Sequence, residues 1–323
     1  MKRIRIFSTL STILMVTILA SGCATSKDSM SPNFKYGNPD YRHVSDLPQN
    51  QAGAMELRRA PAPELPEMTS KEFEAFGDAM LNQKKFSSAY LHYTKSLEED
   101  PGNSRIEYKI GLTFLAAGKF DDAIAQFQKV TDSAPGNAAA WEGMGRAVFL
   151  KRDYRSAETY FKKALDIDDR LWRSHNYLGY ICDVGKDHTM AIRHYRSALA
   201  IKPDCGSVYN NLGVAYAMIG RFPEAVEAFN AAIAYQYVDG KVYNNLGLAL
   251  GNWGKYAQAL NAFKKGLSAP MAYNNLGIVH LNAGNFDQAI RCFETATELD
   301  PRYNHLVSKN LRIAKFEQMK AER

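Results

Sequence analysis

The chain has 323 residues, 46% of them hydrophobic and 23% charged, which is ample for a folded core, whether central or distributed along the chain. Its formal charge of +6 falls to +3 once Lys2, Arg3 and Arg5 of the first segment are set aside. No Lys/Arg cluster interleaves with aromatic residues, so a nucleic-acid surface is excluded.

The chain opens with basic Lys2, Arg3 and Arg5, an apolar run from about Ile6 to Ala20, and small residues Ala20-Ser21-Gly22 before Cys23. Residues 1–22 therefore read as a targeting segment, and the apolar run of ~15 residues is short for a spanning helix. Small residues followed by Cys resemble a bacterial lipobox, although Ala20 stands where Leu is most frequent. That resemblance implies that the Cys23 thiol is acylated and holds the chain in a lipid bilayer. Ordinary signal-peptide cleavage with Cys23 merely nearby is the alternative. Ala24 stands after the Cys where Asp would direct inner-membrane retention, so the resemblance implies the periplasmic face of the outer membrane, or the cell membrane outside Gram-negative bacteria.

Residues 23–69 are expected to form a disordered, lipid-anchored tether. Pro32, Pro39, Pro48, Pro61, Pro63 and Pro66 lie there among Ser, Asn, Gln and Gly, without apolar periodicity. A flexible chain of that length spans about 35–40 Å. The Tyr36 to Tyr41 portion could instead pack against the first folded unit.

From residue 70 the sequence repeats itself. Gly77, Gly111, Gly145, Gly179, Gly213 and Gly247 follow at intervals of 34 residues, and Gly277 follows after 30. Ala89, Ala123, Ala157, Ala191, Ala225, Ala259 and Ala289 stand twelve residues after each glycine. Four further on come Tyr93, Phe127, Phe161, Tyr195, Phe229, Phe263 and Phe293. Pro101, Pro135, Pro203 and Pro301 close four units, because the residue before a proline avoids the α region. The third and fifth units have Asp169 and Tyr237 at that place, which softens their boundaries.

This pattern resembles the tetratricopeptide repeat. The resemblance implies an all-α, right-handed solenoid of seven helix-turn-helix units over residues 70–301, with a concave inner wall. The glycine is expected where two helices cross closely, the alanine on the second helix opposite it, and the aromatic in the gap between one pair and the next. In the second unit, Glu107 to Ala117 is expected as the first helix and Asp121 to Val130 as the second, with Asp121 and Asp122 at its positive end. The 30-residue step removes about one turn near Lys265 to Pro270. Residues 302–323 are expected to be a capping helix, with Leu306, Val307, Leu311, Ile313 and Ala314 on one arc and a charged opposite face.

No catalytic residue, metal ligand, cofactor or small-molecule site is expected. Gly179 to Lys186 has five residues between its glycines where a phosphate loop has four, and Asp187 stands where Ser or Thr is needed. His188 and His194 are six apart and so fall on different helix faces. Cys182 and Cys205 are expected about 15 Å apart, too far for a disulfide.

With the glycine as position eight, the resemblance places positions two, five, nine, twelve and thirteen on the inner wall and position six at its border. The Lys and Asn of the family's carboxylate clamp are missing at positions five and nine. A ladder takes their place: Asn210, Asn244 and Asn274 at position five, with Asn211, Asn245 and Asn275 at position six. An amide that both donates and accepts can pair with an extended peptide. Asn176, Tyr180 and Met218 extend that expected site, and the alternative is that the ladder bridges neighbouring helices. Anchor, tether, repeats and cap together resemble the lipoproteins of Tad/Flp-type pilus systems. The expected role is a scaffold that binds proteins or peptides and helps assemble an envelope machine such as a pilus or secretin. The alternative is a periplasmic adaptor that recruits peptidoglycan hydrolases or proteases.

Overall fold

The computed structural model describes residues 68–322. The expected leader, Cys23 and nearly all of the tether lie outside the described residues. Within them, fifteen α-helices and one short 3-10 turn follow one another, with no strand. The order is α1 (Ser70–Asn82), α2 (Phe86–Glu99), α3 (Ser104–Ala116), α4 (Phe120–Ser133), α5 (Ala138–Leu150), α6 (Tyr154–Ile167) and α7 (Trp172–Val184). Then come α8 (His188–Ile201), α9 (Gly206–Met218), α10 (Phe222–Ala234), α11 (Gly240–Asn252), α12 (Tyr256–Gly266), α13 (Ala269–Asn282), α14 (Phe286–Leu299), the turn Pro301–Tyr303 and α15 (Asn304–Ala321).

These helices belong to two compact units, one ending at Gly185 and the other beginning at Lys186. Within each, consecutive helices pack on one another, first helix on second and second on the next first. Each unit is thus a stretch of helical solenoid.

The recurring residues explain why the hairpins close. A Cβ on Gly111 would lie 2.5 Å from the Phe127 ring; Gly77 and Tyr93, Gly247 and Phe263, and Gly277 and Phe293 give the same distance, and Gly145 and Phe161 and Gly213 and Phe229 give 2.7 Å. The aromatic of the second helix therefore packs directly against the glycine of its own first helix. It also reaches the following unit: a Cβ on Gly143 would lie 2.6 Å from Phe127, and Phe161 stacks on Tyr177 at 4.9 Å. The expectation that this ring fills the gap between pairs is met, and its contact with its own glycine completes the picture. These rings and the alanines twelve positions after each glycine are fully buried.

Helix ends follow local chemistry. Thr69 and Glu72 form a reciprocal capping box at the start of α1, and Asn103, Asn137 and Asp239 accept from the first free amides of α3, α5 and α11. Because Asn103 caps α3, that helix starts at Ser104 rather than Glu107, and α4 runs from Phe120 to Ser133 rather than from Asp121 to Val130. The turn inside each hairpin needs one residue at positive φ: Gly118, Gly220, Gly254 and Gly284 supply it, while Lys84, Arg152 and Lys186 adopt it without that freedom.

The 30-residue step falls in α12, which has 11 residues against 13 or 14 in the other second helices. A Cβ on Gly240 would lie 2.7 Å from the Gly266 carbonyl oxygen, so two glycines meet where the shortened helix ends. At the softer boundary of the fifth unit, Gly206 gives the same close approach to Tyr237.

Candidate functional site

The first-helix faces of the two units are built differently. In the unit ending at Gly185, charged groups of α1 and α3 neutralise one another. Arg105 donates to Glu74 at 2.6 Å, and Lys109 bridges Glu74 at 2.7 Å and Asp78 at 2.6 Å. Tyr93 donates its hydroxyl to the same Asp78 carboxylate at 2.7 Å. Burial by itself would lower the Lys109 pKa, but its bonds to Asp78 and Glu74 outweigh that and raise it. Burial and the Asp78 partner together hold the Tyr93 phenol far above its ordinary range. Glu74 is buried and so is costly to leave unpaired. Further along, Ser174 of α7 donates to Glu142 of α5 at 2.8 Å. Burial also raises the Tyr108 pKa, against the pull of nearby Arg146. An aromatic cluster follows, with Phe149 meeting Tyr177 at 4.8 Å and Tyr180 at 5.2 Å.

In the unit from Lys186 onward, the asparagines form a spine between first helices. Asn245 of α11 donates its amide to the Asn210 oxygen of α9 at 3.3 Å, and Asn275 of α13 donates to Asn244 of α11 at 2.8 Å. Asn310 of the cap α15 donates to Asn274 of α13 at 3.1 Å. Within two helices, Asn274 donates to Asn275 at 3.3 Å and Asn210 to Asn211 at 3.5 Å. Position six thus points back at position five of the preceding unit. Around the spine, Tyr209 stacks on Tyr235 at 5.4 Å, and the Lys264 and Lys265 ammonium groups sit 4.9 Å and 5.8 Å from the rings of Tyr273 and Tyr243.

This placement corrects part of the expected peptide site. Asn176, Asn210, Asn211 and Asn245 are buried, and the amides of the 210, 244 and 274 series are engaged by their neighbours. The physical reason is that an amide close to a neighbouring helix gains a complementary partner there and avoids an unpaired buried dipole. Asn244, Asn274, Asn275, Tyr180 and Met218 are half-buried and remain on the accessible side. The spine brings the six ladder residues together on α9, α11 and α13, while Asn176 and Tyr180 stand on α7 in the other unit. Sequence reading missed Asn310, which is offset from the repeat register, and missed the ion network, whose signal was Glu74 followed 31 residues later by Arg105.

Among the described residues no group of three His, Cys, Asp or Glu side chains is placed to hold a metal, and no helix is long and apolar enough to cross a membrane. Cys205 and Cys292 are free thiols, and burial pushes the Cys292 thiol up to about 11.

Family models of the tetratricopeptide repeat match residues 108–171, 187–239, 240–270 and 270–303, together more than half of the chain. The chain is a tetratricopeptide-repeat protein. Such repeats serve as protein-interaction scaffolds and are typically not catalytic themselves. The tetratricopeptide architecture is shared with the APC/C hetero-tetramer Cut9–Hcn1, at a TM-score of 0.54 and 18% identity over 74% of this chain and 48% of that one. MamA is 28% identical, with a TM-score of 0.44 over 50% of this chain and 94% of its own. Pseudomonas aeruginosa pilF is 18% identical, with a TM-score of 0.49 over 68% and 97%. No curated protein matches the sequence.

Proposed function

We propose that this tetratricopeptide-repeat protein is a lipid-anchored scaffold that holds partner proteins on the first-helix faces of its repeats and so helps assemble an envelope machine, such as a Tad/Flp-type pilus or a secretin. The observation that carries the reading is the recurrence of one first-helix surface within the unit from Lys186 onward, where Asn244 and Asn274 stand half-buried at the same repeat position on α11 and α13, with half-buried Met218 on α9 and Asn275 on α13. An extended or helical segment laid across that surface meets an amide on α11 and again on α13. The basic start, apolar run and small residues before Cys23 support acylation there and the periplasmic face of the outer membrane. A tether of residues 23–69 is long enough to hold the repeats clear of lipid.

The test is photo-crosslinking in cells from Tyr180, Met218 and Asn244, each replaced in turn by a photoreactive residue, with the equally half-buried Glu158 on the second helix α6 as the control. Capture of a pilus or secretin component from the first-helix positions alone supports the reading. Capture from Glu158 as readily would move the interface off that face. The second reading, an adaptor for peptidoglycan hydrolases or proteases, rests on the same surface, and captured cell-wall enzymes would favour it.

A further inference from the structure

A cap that ends a repeat array is expected to turn a polar face to water. The inner arc of α15 behaves as expected, with Val307, Asn310 and Ala314 buried and Leu311 and Ile313 packed on the same cluster. The outer arc does not. Phe316 and Met319 are 58% and 55% exposed. Together with Ser308, Leu311, Arg312 and Lys315 they line a shallow groove of about 350 Å³.

Two features of this groove define what fits it. Its residues recur at the helical spacing of three and four over three turns, so it runs along the helix axis and accepts the side-chain ridge of another helix. α15 itself carries one sign of charge along it: Lys309, Arg312, Lys315 and Lys320 are all exposed, and Glu317, the one acidic residue of α15, falls on the arc of Asn310 and Ile313. Lys315 also reaches Glu294 of α14 at 3.2 Å, and Gln318 bonds Asp287 at 2.6 Å, so α15 is fixed in place as a platform.

We propose that the outer face of α15 docks an amphipathic helix of a partner protein, with Phe316 and Met319 as the apolar anchors and acidic flanks of the incoming helix answering Arg312 and Lys315. Exposed aromatic and Met side chains in a groove are typical anchors of such contacts. A second copy paired through the same face would set Arg312 and Lys315 against themselves, and like charges opposed across an interface are costly. A lipid surface offers no ridge to enter a groove and would meet only two apolar side chains. This surface is separate from the first-helix faces assigned above, and its test is independent of that reading.

The probe is a fluorescent helical peptide of about 18 residues, matching α15 in length, with Leu at positions i, i+3, i+4 and i+7 and Glu on both flanks. Binding to the full chain is read by anisotropy, beside the same peptide with Lys for Glu and vesicles of phosphatidylglycerol in phosphatidylcholine. The acidic peptide is expected to bind in the micromolar range, and the Lys peptide to bind at least about tenfold more weakly. Phe316→Ser with Met319→Ser, and separately Arg312→Glu with Lys315→Glu, are each expected to weaken it by about tenfold or more while circular dichroism is unchanged. No binding of the acidic peptide, equal binding to the variants, Phe316-dependent sedimentation with vesicles, or a dimer abolished by Phe316→Ser would each overturn the proposal.

Discussion

Asn245 occupies a place where a side chain has to satisfy two demands at once. It must fit between first helices and must pair a polar neighbour, and its amide does both by donating to Asn210. Replacing Asn245 with Ala leaves the Asn210 oxygen short of that donor and should cost about 1–3 kcal/mol, read by chemical denaturation. His280 shows the cost of a group that has to stay neutral. It is buried on α13, its ring lies 4.2 Å from that of Tyr256, and burial with the nearby Arg291 charge lowers its pKa. The unfolded chain therefore takes up a proton at higher pH than the folded one, and stability falls as pH drops below about 6.5, the ordinary histidine value. His280→Phe should flatten that acid slope in thermal melts, and an unchanged slope would assign it to other groups. Glycine at position eight was legible from its spacing alone. What it touches was not, since periodicity places a residue on a face without naming the ring that covers it. Gly111→Ala should cost about 1–3 kcal/mol because its Cβ would enter the Phe127 ring.

At the scale of helices, the 34-residue period placed the pairs, and the shortened step placed the short α12. Helix starts were read several residues late where an Asn cap outside the repeat motif sets them, as Asn103 does for α3. The turns give a sharper expectation. Gly254 has φ +81°, so Gly254→Ala should cost about 1–2 kcal/mol, whereas Gly136, with no positive φ and open space around it, should tolerate Ala within about 0.5 kcal/mol. Equal costs at the two sites would show that backbone conformation is not what the turn glycine supplies. The cap was read as charged outside, and charge is there. Phe316 and Met319 share that face, because the spacing that marks the buried arc of a helix says nothing of apolar residues outside it.

For the whole molecule, the repeat class was legible because three residue types recur in register seven times, a signal that survives variation at every other position. The binding surface was less so, because an asparagine ladder reads the same whether it faces a peptide or the next helix. The structure assigns much of it to bracing and leaves Asn244, Asn274 and Asn275 half-buried, as the proposed surface requires. Attachment is a separate matter: Cys23→Ser should move the protein from the membrane to the soluble fraction, and persistent membrane association would refute acylation as the anchor. Bracing by the asparagine spine is tested most directly by thermal unfolding of the combined Asn245→Ala, Asn275→Ala and Asn310→Ala variant. Loss of three rungs should remove about 3 kcal/mol and lower the Tm by roughly 6–12 °C. A Tm unchanged from the parent, with partner capture lost, would contradict the brace and return the ladder to the role of a peptide-binding surface.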